Sequence, residues 1–178
     1  AEPLYLSQIN AVPNDSLYQQ QVYLDVIQAE QAWDVSKAEG KDIVIAIVDG
    51  GTDIDHPDLQ ANLWINEDEI PNNGIDDDNN GFIDDVNGWN FANNTNDPTG
   101  LPDTPSNANH GTQTAGIAAA VTNNKFGVAG VSWNAKLMAL NITAETDNNL
   151  AYTFYNYDGK PGGVLYAAQN GADIISCS

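Results

Sequence analysis

Arginine is absent from this 178-residue chain, and its only cations are Lys37, Lys41, Lys125, Lys136 and Lys160, against 25 aspartates and glutamates. The formal charge of −20 repels nucleic-acid phosphates and anionic lipid surfaces, so no nucleic acid and no membrane is expected as a partner. No apolar run approaches the roughly 20 residues that a membrane-spanning helix needs. A single cysteine, Cys177, excludes an internal disulfide and leaves the redox compartment open. The two histidines, His56 and His110, form no His-x-x-x-His pair and have no cysteine cluster beside them. A zinc hydrolase therefore fails on ligand count. Residues 1–14 lack the basic start and apolar centre of a signal peptide, so such a segment is expected to be absent or already removed.

What is present is enough for a packed core: 42% of the residues are hydrophobic, and the length suits one domain. The composition reads as soluble, acidic and extracellular. Charge of this size needs open water or bound cations, which raises calcium before any motif is read.

Residues 1–25 are polar, carry Pro3 and Pro13, and read as an arm over the surface. Val26, Ala29, Ala32, Trp33 and Val35 form a helical stripe within 26–38, closed by Gly40. The run Ile43–Val48 is unbroken, apolar and β-branched, as expected of a parallel strand covered on both faces. Residues 62–109 turn rich in Asn, Asp, Gly and Pro and read as loops. Beyond them the pattern predicts a small-residue helix over 111–121, a strand over 136–142, a helix over 163–170 and a strand over 173–177. Strands alternating with helices imply right-handed crossovers and an α/β parallel sheet. The last strand is apolar enough to be an inner one, so a further piece of the same sheet is expected to pair with it.

Asp49 falls at the C-terminal end of the first strand, where α/β folds place functional groups. A carboxylate there fits both a catalytic role and a cap on the following turn. His110 opens the segment HGTQTAGIAAA, which puts its ring at a helix N-terminus; a lone histidine there is more often structural than catalytic.

The segments IVIAIVDGGTDIDHPDL and NHGTQTAGIAAAVTNNKFGVAGVSWNAKLMAL decide between these readings. Together they resemble the subtilisin-type serine proteases, most of all their thermitase-type branch. The opening PNDSLYQQQVYLDVIQAEQAWD and the closing GGVLYAAQNGADIISCS extend the resemblance over nearly the whole chain, apart from an insert at about 62–107. The resemblance implies a three-layer subtilisin-like α/β fold with a central parallel sheet, incomplete in this chain. It gives Asp49 the place of the acid and His110 that of the general base in an Asp–His–Ser triad. It also implies that the nucleophilic serine and the oxyanion-hole asparagine lie outside this chain, in a complementary C-terminal part, so that the chain alone is inactive. Ser178, with Ser176, then belongs to a substrate-binding strand. Gly50 stands where the family usually has Ser or Thr, and Gln113 where many relatives carry His or a small residue. His56, in HPDL, matches a structural position.

Calcium has two candidate sites. In the insert, Asp76, Asp78 and Asn80 followed by Gly81 spell a D-x-[DN]-x-[DN]-G loop, whose alternating oxygens converge on one centre. The Phe82 carbonyl takes the seventh position, and Asp84 or Asp85 must close the shell, because Asn87 replaces the usual final glutamate. The second site follows from the resemblance alone: Asp15, Asp58 and Asn124, with carbonyls of Val121, Phe126 and Val128. An all-oxygen shell suits calcium rather than zinc. Tyr152, Phe154, Tyr155 and Tyr157 read either as one wall of a substrate cleft or as ordinary loop packing. The functional expectation is a secreted, calcium-binding endopeptidase acting on polypeptides. Its rival is a non-catalytic calcium-binding or adhesive module on the same scaffold, which Gly50 favours.

Overall fold

The computed structural model describes residues 11–37, 43–100, 109–143 and 159–178. Its centre is a fully parallel sheet of β1 (Val44–Asp49), β2 (Gly88–Asn90), β3 (Lys136–Asn141) and β4 (Ile174–Cys177), in the order β2-β3-β1-β4. The helices are α1 (Val22–Val26), α2 (Ala29–Val35), α3 (His110–Ala119) and α4 (Gly163–Gln169). The strands expected over 43–48, 136–142 and 173–177 and the helices expected over 111–121 and 163–170 are all present, with boundaries within two residues.

Strand β1 explains the two-sided burial. All six residues are buried, and alternate side chains point to opposite faces. Val44, Ala46 and Val48 join Phe82, Trp89, Phe91, Met138, Leu140, Tyr166 and Ala167 on one face. Ile45 and Ile47 join Leu59, Leu63, Ala115, Ala119 and Leu137 on the other. Helix α3 thus covers one side, while α4 and aromatic residues of the insert cover the other. A separate cluster of Tyr18, Leu24, Ala29, Trp33 and Ala129 holds the N-terminal arm.

Three expectations change. The stripe expected as one helix over 26–38 is two short helices, because Gln28 takes a left-handed backbone conformation between them. Ala29 and Trp33 stay on the buried face, while Val26 and Val35 are more than four-fifths exposed. The Asn-rich stretch expected to be all loop contains β2, which pairs with β3 in the register Trp89↔Leu140. Residues 1–25 are not simply an arm: Leu24 and Tyr18 are core residues. Strand β4 lies beside β1, from Ile45↔Ile174 to Val48↔Cys177, at the end of the described strand order. Ile174 is half exposed there.

Candidate active site

Two elements meet at the C-terminal end of the sheet. Strand β1 delivers Asp49, 3% exposed, and α3 begins at His110. The His110 Nδ1 lies 2.8 Å from Asp49 Oδ1 and 2.9 Å from Oδ2. The acid is buried, while the imidazole side chain is about half exposed (53%), leaving the ring open to a reactant. Asp49 Oδ1 also accepts the Gly50 N–H at 2.6 Å.

The small residues of α3 make this approach possible. A Cβ on Gly111 would sit 2.3 Å from the Gly51 carbonyl oxygen and 3.1 Å from Asp49 Cβ. Only glycine lets the helix start this close to the end of β1. Thr112 Oγ1 accepts the Asp53 N–H at 2.9 Å, fixing the loop that leaves the strand. Asn141, paired with Asp49 in the sheet, holds Thr143 N and the Thr99 carbonyl above the strand ends.

Ser176 pairs with Ile47 on β4, and the Ser178 N–H donates to the Val48 carbonyl. Both flank β1 from the side opposite β3. Among the described residues no serine hydroxyl is hydrogen-bonded to the His110 ring, whose side-chain partner is Asp49. The aromatic group Tyr152, Phe154, Tyr155 and Tyr157 lies outside the described residues.

In the insert, the acidic side chains divide into two groups. Asp78 and Asp85 converge with Glu69, offering carboxylate oxygens within 4.8 Å of one another. Asn80 Nδ2 bridges Asp78 and Asp85 at 2.9 and 3.0 Å, and Asn66 Nδ2 bridges the same pair at 3.0 Å each. Asp76 instead accepts the Asn80 and Gly81 N–H groups, and both oxygens of Asp84 accept from Asn73 and Gly74. The structure therefore brings Asp85 to the cluster and leaves Asp84 on a neighbouring turn. The Phe82 side chain is buried in the core, and its N–H donates to Asn80 Oδ1 at 2.8 Å. Burial pushes the carboxyls of Asp85 and Glu69 above the usual carboxylate range. Glu69 was not singled out from the sequence. It lies seven residues before the motif, and its signal is visible only once the loop folds back: its oxygens accept N–H groups of Asp77, Asp78 and Asp84.

At the second candidate site, Asp15 and Asp58 are both almost fully buried. Asp15 accepts the Asn123 and Asn124 N–H groups, while Asp58 accepts Asn124 Nδ2 at 2.6 Å and the Val128 N–H at 2.8 Å. The Val121 N–H donates to the Asp58 carbonyl, and the Phe126 N–H to Asn124 Oδ1. His56 Nδ1 accepts the Asp58 N–H at 3.2 Å. No helix among the described residues is long and apolar enough to cross a membrane.

The chain is similar to known proteins along most of its length. Thermitase of Thermoactinomyces vulgaris is 38% identical over 93% of this chain and 47% of its own length. A thermophilic serine proteinase of Bacillus sp. (strain AK1) is 34% identical over 100% of this chain and 36% of its own. The chain thus spans about half or less of the relatives it matches. Among solved structures, a protease of Pseudoalteromonas arctica PAMC 21717 superposes with a TM-score of 0.60 at 24% identity, over 94% of this chain and 53% of the other. That likeness speaks for the α/β fold. The model of the subtilase family, Peptidase S8, matches residues 40–178. The chain belongs to the subtilase family of serine peptidases.

Proposed function

We propose that this chain is the acid- and base-bearing portion of a secreted, calcium-binding serine endopeptidase that cleaves polypeptides through an Asp–His–Ser triad. The observation that carries the reading is the contact between the buried Asp49 carboxylate and His110 Nδ1, with the ring otherwise open. A serine hydroxyl is a poor nucleophile until an imidazole accepts its proton. Asp49 holds the Nδ1–H, so Nε2 is left as the base, and its negative charge stabilises the imidazolium formed as the proton moves. Nε2 then returns that proton to the leaving amine. The nucleophile and the oxyanion-hole asparagine belong, on this reading, to a complementary C-terminal part of the same protease domain. Ser176 on β4, and Ser178 directly after that strand, would line the substrate.

Calcium would be held at Asp78, Asp85 and Glu69, with Asn80 bonded to two of them, and at Asp15, Asp58 and Asn124. The donor sets are entirely oxygen, and three carboxylates this close repel one another without a cation. The ion's contribution would be structural charge neutralisation.

The test is hydrolysis of a peptide anilide by the protein joined to its C-terminal part, with phenylmethylsulfonyl fluoride labelling alongside. His110→Ala and Asp49→Asn should each lower kcat by several orders of magnitude, since a triad acts as a unit. Stoichiometric labelling of a serine within residues 1–178 alone would overturn the placement of the nucleophile. A folded, calcium-responsive but inactive whole protein would favour the non-catalytic module.

A further inference from the structure

The Asp49 carboxylate is buried and offers about four lone-pair positions, so its donors can be counted. Oδ1 takes the Gly50 N–H at 2.6 Å and faces His110 Nδ1 at 2.8 Å. Oδ2 faces the same Nδ1 at 2.9 Å, yet one N–H cannot serve both oxygens fully. Among the described residues, the other donor within reach of Oδ2 is Thr114 Oγ1, at 3.4 Å. Gly50, next to the acid in sequence, has no side chain to help.

Thr114 lies one helical turn after His110, which places both side chains on the same face of α3. Its hydroxyl carries one proton and has two acceptors: the His110 carbonyl at 3.0 Å and the Asp49 carboxylate at 3.4 Å. Hydrogen bonds to an ionised acceptor are the stronger kind. Rotation about the Cβ–Oγ bond, which moves only the hydroxyl proton, exchanges one acceptor for the other without moving the helix.

We infer that Thr114 is a positioning residue for the proposed triad: it engages Asp49 Oδ2 and so leaves Oδ1 as the acceptor that aligns the His110 Nδ1–H. The inference rests on the proposed function for its kinetic consequence and on geometry alone for the hydrogen bond. Thr114 does not touch a reacting atom; it acts through Asp49. With the hydroxyl removed, Oδ2 keeps only its share of the bifurcated imidazole bond, and the carboxylate is freer to rotate.

The experiment compares wild type, Thr114→Val and Thr114→Ser in the complete protein. Val keeps the branched shape and removes the hydroxyl; Ser keeps the hydroxyl. Thr114→Val should lower kcat about tenfold with KM unchanged, less than the roughly 100- to 10,000-fold that a proton-transfer group itself contributes, because Thr114 acts only through Asp49. Thr114→Ser should remain within about twofold of wild type, as expected when the bonding group is retained. The second readout needs no activity: the proton NMR resonance of the His110 Nδ1–H should move in Thr114→Val, because the carboxylate that accepts it has lost a donor, and stay in place in Thr114→Ser. Wild-type kcat and an unmoved resonance in Thr114→Val would overturn the inference. So would a loss in Thr114→Val that Ser does not restore, which would mark a packing role. If the wild-type protein proves inactive, the proposed function falls, and the resonance still decides on Thr114.

Discussion

Tyr166 donates its hydroxyl to Asp85, and this bond joins α4 to the acidic insert through the centre of the core. Both residues are fully buried. The Tyr166 ring meets Phe82 edge-on at 5.0 Å and Phe91 at 5.7 Å, so its packing does not depend on the hydroxyl. Tyr166→Phe should therefore keep the core filled while leaving Asp85, among the described residues, with its two asparagine donors. Leaving a buried acceptor short of a donor costs about 1–3 kcal/mol. For a domain of this size that corresponds to a melting temperature lower by several degrees. Thermal unfolding of the two proteins checks this, and coincident curves would mean that the bond contributes nothing.

Calcium dependence separates the two candidate sites. Asp58 ties the loop over 121–128 to the core, and Asp15 draws the N-terminal arm onto the same loop, with the Leu17 N–H on the Gly127 carbonyl at 2.8 Å. Filling a site to about 100 times its dissociation constant adds roughly 2.7 kcal/mol. Chelation should lower the melting temperature of wild type, and Asp58→Ala should abolish most of that response. Asp78→Ala should chiefly make the 72–87 loop cleavable by an added protease. If excess chelator alters neither melting nor cleavage, calcium is held at neither place.

The α/β order was legible from the sequence because β1 and β3 are buried on both faces, and a continuous apolar run carries that information directly. The places of Asp49 at a strand end and His110 at a helix start were legible from the pattern, whereas their pairing was expected only from the resemblance of the flanking segments to the subtilisin-type proteases. Glu69 was not, since its partners are backbone N–H groups of a loop whose path no periodicity encodes. The break at Gln28 escaped for a related reason. A left-handed glutamine has no compositional mark, and the stripe around it continues without interruption. Asp84 and Asp85 were indistinguishable in sequence; the left-handed backbone of Asp84 turns its carboxylate to Asn73 and Gly74, leaving Asp85 for the cluster.

Alkaline pH should weaken the attachment of the N-terminal arm. Burial first, and then the Glu30 carboxylate, to which its hydroxyl donates at 2.6 Å, raise the Tyr18 phenol well above its ordinary value. In the unfolded chain Tyr18 ionises near pH 10, as tyrosines do. The folded state still holds its proton there, so above that pH it binds more protons than the unfolded state, and stability falls as pH rises. Below it the contribution is fully present. Tyr18→Phe removes the titrating group, and denaturant unfolding between pH 8 and 11 should show a shallower alkaline loss than in wild type, from a somewhat lower plateau. Equal slopes for the two proteins would show that Tyr18 is not the group responsible.

Two glycines of α3 should respond in opposite ways to the same substitution. In Gly111→Ala the new methyl group would overlap the Gly51 carbonyl oxygen at 2.3 Å, a backbone atom that cannot swing aside. The start of α3 must then retreat from the end of β1, and His110 retreats with it from Asp49. Overpacking of this kind costs about 1–3 kcal/mol, and a displacement of about 1 Å in a catalytic pair can cost on the order of 100-fold in rate. Gly116→Ala, about one and a half turns along, would meet nothing closer than Val128 Cγ2 at 3.9 Å, an ordinary contact. There alanine replaces glycine in a helix interior, a change that stabilises by about 0.8–1 kcal/mol. Gly111→Ala should thus lose both melting temperature and kcat, while Gly116→Ala should gain melting temperature and keep kcat. The pair is measured side by side by thermal unfolding and peptide-anilide hydrolysis in the complete protein. Equal activity in Gly111→Ala and wild type would show that the helix approach at Gly111 does not set the Asp49–His110 geometry.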